Sequence, residues 1–537
     1  MTFPAPSRRV LFGLVAILYL TAFPYHPKLR SPNELCRLWQ ARALVEYGTL
    51  ELNQALANYG YVGDLSVKDG RFYPSKAPLL SFAAVPIYAA LRWLSGGFRY
   101  AVTELSLVYF CRLFLTVIPT LAMLVWLHRF LRAYVSDGVA DALTATYALG
   151  SLAFSYSLLF MSHQTTAVLL FASFYALWRC ARGDWSEQRG YLAAGAFAGA
   201  AIFAEYTSAL GVAALVLYGA LTALWRPSAS AAGKAVRLLR AFGLASAGAL
   251  PFVIGLLFYH RACFGHPFET GYQHLADAGY QPWHVGGFLG IRLPDLRAFI
   301  QSFFSPLRGL FALAPFLALA LPGMAMQLQQ TRPRSVDRAL LWFEVVLLAG
   351  YAYFTSSFSY ESWGWTTGPR HLTGLIPFLV LPAAICVERL RQGRGIAASL
   401  RLGLAAALCA LSIAITGSLT LINYIPDSAA NAFFGLALKL FGDGYLPPTV
   451  LTLAGVPSAY AGGAILLLLA VAVLLVPLNL IPSDSTQGRW VIGSALATCV
   501  IYLSALRLTA DARRDSPAVA HLESVWVFPS GKGAQAR

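Results

Sequence analysis

Charge is scarce in this chain. Only 12% of its 537 residues are Asp, Glu, Lys or Arg while 58% are hydrophobic, and a mean hydropathy of +0.60 excludes a soluble domain. Acidic residues are the scarcer kind, 24 against 40 Lys and Arg, which leaves a formal charge of +16. In so apolar a chain that excess reads as basic loops beside anionic lipid, and nucleic acid is set aside as a partner. The seven cysteines lack CxxC spacing and several lie inside apolar runs, so they read as packing residues. No His-x-x-x-His or His-Glu pairing appears, so no metal is assigned and no cofactor is expected. There is no nucleotide-binding loop and no convincing internal repeat. The first apolar run, Val10 to Phe23, follows Arg8 and Arg9 but lacks a small-residue cleavage site before Tyr25 and His26. It reads as a retained helix and not as a signal peptide.

What the chain has is long apolar stretches of about 17 to 25 residues, the length that crosses ~30 Å of hydrocarbon as helix. Helices are the open-chain solution there, because lipid cannot satisfy exposed backbone groups. The expected fold class is therefore an all-α polytopic membrane protein of about 13 crossings. Arginines set its orientation. With Arg8 and Arg9 cytoplasmic, the basic loops at 128–132, 179–189, 226–240, 332–338 and 389–401 fall on the same side, and the loops between them carry fewer basic residues. This requires Ala77 to Leu94, with Pro78 and Pro86, to enter the outer leaflet without a net crossing. Single crossings are expected at 139–160 and 306–328, among others, and the tail 509–537 is placed outside. Close helix packing is expected over the Gly-rich run Ala193 to Ala201.

The outer face then collects the unusual polar residues. Its first loop, 25–77, carries Ser31-Pro32-Asn33-Glu34 followed by Leu35, Leu38, Trp39, Ala43 and Val45, an apolar stripe that predicts an amphipathic helix on the membrane surface. Arg37, Asp64, Lys68, Asp69, Arg71 and Tyr73 follow, then Ser75-Lys76-Ala77-Pro78 where the chain turns apolar. Later loops add His163, Glu205, Tyr206, the segment 263–272, the turn Phe304 to Gly309, and Trp363-Gly364-Trp365 with Gly368-Pro369-Arg370-His371. Every histidine but His128 maps outward. Glu205 at a helix end is expected to face a polar cavity, because an ionisable group is expensive to keep in lipid.

A pocket of this kind suits a sugar carried on a polyprenyl phosphate, whose tail lies in lipid and whose phosphate lies at the interface. Transfer of that sugar needs a carboxylate to take the acceptor proton, cations to stabilise the departing phosphate, and both partners held in line. Glu34 is the first candidate base. Lys76, Arg370, Arg71 and His371 are candidates for the phosphate, and Arg37, Asp69, Tyr73, His163, Glu205, Tyr206, Trp363 and Trp365 for the rest of the pocket. Structural roles compete with these. Ser31 to Glu34 also fits a capping box, Lys76 could snorkel to the headgroups, and the tryptophans could be interfacial aromatics.

These residues resemble the GT-C integral-membrane glycosyltransferases, particularly bacterial family 39-like members related to protein O-mannosyltransferases and lipid A aminoarabinose transferases. In that superfamily an acidic residue follows the first helix and an arginine-bearing helix comes next; here these are Asn33-Glu34 and Arg37, where many members have Asp-Glu. The family's Lys-Pro element is matched by Lys76-Ala77-Pro78, with Ala77 inserted, and Gly368-Pro369-Arg370-His371 is similar to a recurrent bacterial element. With Asn33 in the aspartate position, the base is Glu34, Asp64 or Asp69. The resemblance covers the N-terminal two-thirds and implies a catalytic module over 1–425 with its outward loop 25–77, C-terminal helices over 426–508 and a periplasmic tail over 509–537. It implies a multi-pass enzyme of the bacterial inner membrane, with its site facing the periplasm. The enzyme would take a polyprenyl-phosphate-linked sugar and pass it to a hydroxyl on a lipid, glycan or protein, with membrane lipids as its surroundings. A transporter or flippase of lipid-linked sugar, and a polysaccharide ligase or polymerase with a lipid-diphosphate donor, are the alternatives.

Overall fold

Backbone N–H and C=O groups in an apolar stretch must pair with one another, and helix is the local way to do so. The computed structural model, which describes residues 6–225, 230–287, 290–329, 335–358, 364–482 and 485–526, is accordingly built of helices with one short hairpin. Among the described residues, seven helices are long and apolar enough to cross a membrane: Glu104–Leu131, Tyr206–Trp225, Ala231–Phe264, Val336–Ser357, Ile396–Ile422, Ser458–Leu478 and Thr486–Arg507. Other expected crossings form shorter or more polar helices, such as Arg8–Thr21, Ser162–Ala181, Glu187–Ala204 and Ile376–Gln392.

Two expected single crossings are broken. The stretch 139–160 divides into Asp137–Leu149 and Leu152–Ser157. A Cβ on the intervening Gly150 would lie 2.8 Å from the backbone nitrogen of Ile413, so the chain turns there against the helix Ile396–Ile422. The stretch 306–328 divides into Leu310–Leu313, Pro315–Leu319 and Ala320–Leu328, with Pro315 unable to donate to the preceding turn. The described part of the tail is helical, since Ala512–Val525 is a helix capped by Asp511.

Polar contacts sort the loops into two ends. At one end Arg8 bonds Asp137 and Asp141 at 2.9 and 2.8 Å, His128 meets Asp141 at 2.6 Å, Arg132 meets Asp137 at 2.6 Å, and Ser136 bonds Glu388 at 2.6 Å. At the other end Tyr25 bonds Glu104, the Phe23 amide bonds the Pro448 carbonyl at 3.1 Å, and the His26 ring lies 4.7 Å from that of Trp526. Helices such as Ser162–Ala181, 20 residues long and so ~30 Å, separate the two. Of the basic loops, those around Arg8, His128 to Arg132 and Glu388 thus share one end. Helix Leu79–Leu94 keeps both its flanks at the second end, Lys76 beside Asp64 and Glu104 beside Tyr25, as a segment without a net crossing requires.

Helices Glu187–Ala204 and Ala231–Phe264 cross at glycine. Cβ atoms on Gly195 and Gly248 would lie 1.8 Å from the Ala245 carbonyl oxygen and 2.1 Å from that of Leu192. The backbones therefore touch, as small residues allow between membrane helices. Gly195→Leu is expected to force the pair apart and to cost about 1–3 kcal/mol or more, seen as a lower unfolding temperature in detergent. An unchanged midpoint would mean that this crossing does not support the fold.

Candidate functional site

The first outward loop folds as a helix and a hairpin. Helix Pro32–Tyr47 stands where the apolar stripe predicts it, but residues 33 to 43 are buried on every face, because Leu79–Leu94 and the following chain cover the side expected to meet lipid. The capping box is not formed, since Ser31 makes no side-chain cap bond. The Glu34 carboxylate instead accepts from Arg112 Nε and Nη2, both at 2.8 Å, from the Phe160 amide at 2.6 Å and from the Tyr424 hydroxyl at 2.9 Å. Burial works to raise its pKa, but Arg112 outweighs it and holds Glu34 below the usual carboxylate value. Both oxygens are occupied within the protein, and these partners lie outside the charged cluster described next.

That cluster is assembled by the hairpin. Strands Leu65–Lys68 and Arg71–Pro74 pair Leu65 with Pro74, so the residues just beyond that pair, Asp64 and Ser75-Lys76, come side by side. The Ser75 amide bonds the Asp64 carbonyl at 2.9 Å, and Lys76 Nζ lies 3.1 Å from Asp64 Oδ1. Asp64 has φ +59°, a left-handed conformation that Asp tolerates better than most residues. Burial pushes its pKa up, but Lys76, then Arg370 and Arg37, hold the carboxyl below its ordinary 3.8. Burial pulls Lys76 down and Asp64 more than compensates, so the ammonium is held above its usual value. Lys76 also lies 5.2 Å over the Tyr272 ring, on whose other neighbour, His284, the rings stack at 4.4 Å. Burial, helped by Lys76, pushes His284 down to about 4, so it is neutral at pH 7.

The wall beside this group comes from two helix ends. Arg37 bonds the Asn33 carbonyl and side chain and reaches Ser162 Oγ at 3.1 Å. Ser162 in turn bonds Glu205, whose Oε2 lies 3.5 Å from His163 Nδ1. The His163 ring stands edge-on to His371 at 5.4 Å. Tyr206 bonds His260 at 2.9 Å and its ring lies 6.0 Å from Tyr272. Asp64, Lys76, Arg37, Arg370, His163, His371, Glu205 and Tyr206 thus occupy one neighbourhood. Among the described residues the neighbourhood includes the cations Arg37, Lys76 and Arg370 and the carboxylates Asp64 and Glu205.

Other candidates stand apart. Asp69 and Gly70 form the hairpin tip with φ +51° and +74°, and exposed Arg71 pairs with Glu51 at 3.3 Å. Tyr73 is buried against Phe264, ring to ring at 5.6 Å. Trp365 donates to Asp427 at 2.9 Å and packs on His521, beside a separate cavity of about 460 Å³ lined by Arg308, Asp427 and Arg514. Trp363 lies outside the described residues. Among those described, no group of three or more His, Cys, Asp or Glu is disposed to hold a metal ion.

Sequence reasoning passed over Arg112, Tyr272 as a lysine partner, and His284. Arg112 carried a signal, because an arginine within an apolar run must find a partner. His284 carried none in its spacing.

No protein-family profile matches the chain, and no curated protein does. Among solved structures the chain is similar to ArnT from Cupriavidus metallidurans bound to undecaprenyl phosphate, with 15% identity, 93% of this chain and 77% of that one covered, and a TM-score of 0.49. Apo ArnT gives 15%, 90%, 77% and 0.47. The Archaeoglobus fulgidus oligosaccharyltransferase tethered with an acceptor peptide gives 10%, 77%, 54% and 0.48, so the chain spans about half the length of that protein.

Proposed function

We propose that this protein is a glycosyltransferase that moves a sugar from a polyprenyl-phosphate donor to an acceptor hydroxyl, at the periplasmic face of a bacterial inner membrane. The convergence of Lys76, Arg370 and Arg37 around Asp64 supports this reading most directly. In the reaction the acceptor oxygen bonds to the sugar's anomeric carbon, and the bond from that carbon to the phosphate oxygen breaks. Its electron pair stays on the phosphate. A singly charged diester thereby becomes a more highly charged monoester, and fixed cations favour that change. The acceptor proton passes to Asp64, the only acidic candidate of the three that faces the cations; Glu34 is occupied by Arg112 and Asp69 sits at the hairpin tip.

The test is transfer from a panel of radiolabelled polyprenyl-phosphate sugars by purified protein. Asp64→Asn is expected to lower kcat roughly 10²- to 10⁴-fold with donor binding within a few-fold of the parent. Because Asp64 is held below its ordinary 3.8, its base form persists to acid pH, and the acid limb of the wild-type rate profile should fall below that value. Full activity of Asp64→Asn would remove it as the base.

A further inference from the structure

The cavity of about 460 Å³ beside Trp365 lies just past the ends of three helices long enough to cross a membrane. Its wall residue Asp427 follows Ile396–Ile422, and Thr509 and Arg514 follow Thr486–Arg507. Gln301 and Ser305 come from a segment tied to the end of Val336–Ser357, where the Arg292 and Asp295 amides bond the Ser357 and Ser356 carbonyls at 2.8 and 2.7 Å. Asp427 accepts one bond, from Trp365 Nε1 at 2.9 Å, and Arg514 donates to the Ser428 and Ala429 carbonyls at 3.2 and 3.1 Å. Among the described residues neither is in an ion pair, although both line the one cavity. The charges around them are engaged. Asp515 accepts from the Ala430, Asn431 and Asp511 amides at 2.7, 3.2 and 2.9 Å, Asp511 accepts from the Arg513 amide at 3.0 Å, and buried Arg308 interacts within the protein. Those Asp515 bonds pin helix Ala512–Val525 to the loop, so the wall that presents Asp427 and Arg514 is fixed. Its rim is apolar: helix Leu296–Phe304 buries Ala298 and Phe303 and exposes Leu296, Ile300 and Phe304, a stripe at four-residue spacing. Such a stripe lies along a membrane interface.

We infer that this cavity holds the head of a membrane phospholipid of the phosphoethanolamine type, with its phosphate on Arg514 and its primary ammonium on Asp427. The site is separate from the group around Lys76 and Asp64 and does not depend on the transfer reaction. A carboxylate and a guanidinium that share a cavity without pairing each want an opposite charge, and a zwitterionic head brings both at once. A head with a phosphate and no ammonium would satisfy Arg514 but bring a like charge to Asp427. A quaternary ammonium would meet the charge of Asp427 but has no N–H to donate to it. The exposed stripe of Leu296, Ile300 and Phe304 gives the acyl chains an apolar surface beside the head, which a soluble phosphate ester would not use. Because Asp427 also holds Trp365, the occupied head would sit against the loop that leads to Arg370.

The test titrates short-chain phosphatidylethanolamine, and phosphatidylcholine and phosphatidylglycerol with the same chains, into the whole protein in detergent, with bound lipid counted by native mass spectrometry. Phosphatidylethanolamine is expected to bind about tenfold or more tightly than either of the others. Asp427→Asn, which can still accept from Trp365, should cut that preference to within a few-fold. Arg514→Gln should weaken all three lipids by a similar factor, roughly tenfold, and Arg514→Lys should restore part of the loss. Both side chains are exposed, so the unfolding temperature should stay near that of the parent, and the Asp427→Asn result decides even if Arg514→Gln does not fold. Equal affinities for the three lipids, a preference for phosphatidylglycerol, or a preference that Asp427→Asn leaves intact would overturn the inference. Soluble phosphoethanolamine binding as tightly as the lipid would overturn the membrane lipid as the occupant.

Discussion

Replacing Lys76 with alanine should abolish most donor binding and transfer. The ammonium lies 3.1 Å from Asp64 and over the Tyr272 ring, with 13% of its side chain exposed, so it is turned into the protein and does not reach out to headgroups. Removing a fixed donor of this kind from a phosphate on which charge develops costs roughly 10²- to 10³-fold in kcat, and Kd for polyprenyl phosphate alone should rise by about tenfold or more. A second consequence follows from electrostatics. Burial pushes the Asp64 pKa up and Lys76 is the leading group that pulls it down. Without Lys76 the Asp64 pKa moves upward, so the acid limb of the rate profile should shift to higher pH in Lys76→Ala. Lys76→Arg keeps the charge but not the compact geometry, and should hold the acid limb near its wild-type position while restoring only part of the rate. Binding and turnover equal to wild type in Lys76→Ala would show that the phosphate is met elsewhere.

The helical class of the fold and the gathering of the loops around Arg8, His128 to Arg132 and Glu388 at one end were legible because they depend on composition and on the placing of arginines, which need no tertiary information. The non-crossing of Ala77 to Leu94 was legible for the same reason. Helix breaks at Gly150 and Pro315 were not, since they answer to backbones packed on them from far along the chain. Lys76, Arg370, His163 and Glu205, which the structure brings into one neighbourhood, were singled out in the sequence from their positions at helix ends. The place of Asp69 and Arg71 at the hairpin tip was not read because the hairpin was overlooked, although Asp69-Gly70 between Leu65–Lys68 and Arg71–Pro74 is a strong two-residue turn signal. Recognising it would have put Asp69 at the tip and Asp64 against Lys76. The burial of helix Pro32–Tyr47 was not legible, because its apolar stripe is the same whether lipid or protein covers it.

Substitution of Glu34 should unfold the protein more than it slows it. Its carboxylate binds the fully buried Arg112 through two oxygens, and Arg112 Nη1 also donates to the Pro24 carbonyl at 3.1 Å. Tyr424 completes the node, so that one ion pair joins the first loop, the helix Glu104–Leu131 and the chain after Ile396–Ile422. Glu34→Ala leaves a buried guanidinium without its counter-charge, at a cost of about 3–5 kcal/mol, read as a fall in unfolding temperature. Replacing both partners, as in Glu34→Leu with Arg112→Leu, should recover a large part of that loss, because the desolvation of both charges is then avoided. The pH dependence has a definite sign. Glu34 is held below its ordinary 4.5, so its stabilising contribution is fully present above that value and is lost as pH falls through the lower folded-state pKa. Glu34→Gln should flatten this acid limb of stability, while transfer per folded molecule stays within a few-fold of wild type. A Glu34→Gln protein that melts like wild type yet transfers no sugar would reverse the assignment, returning the proton-accepting role from Asp64 to Glu34.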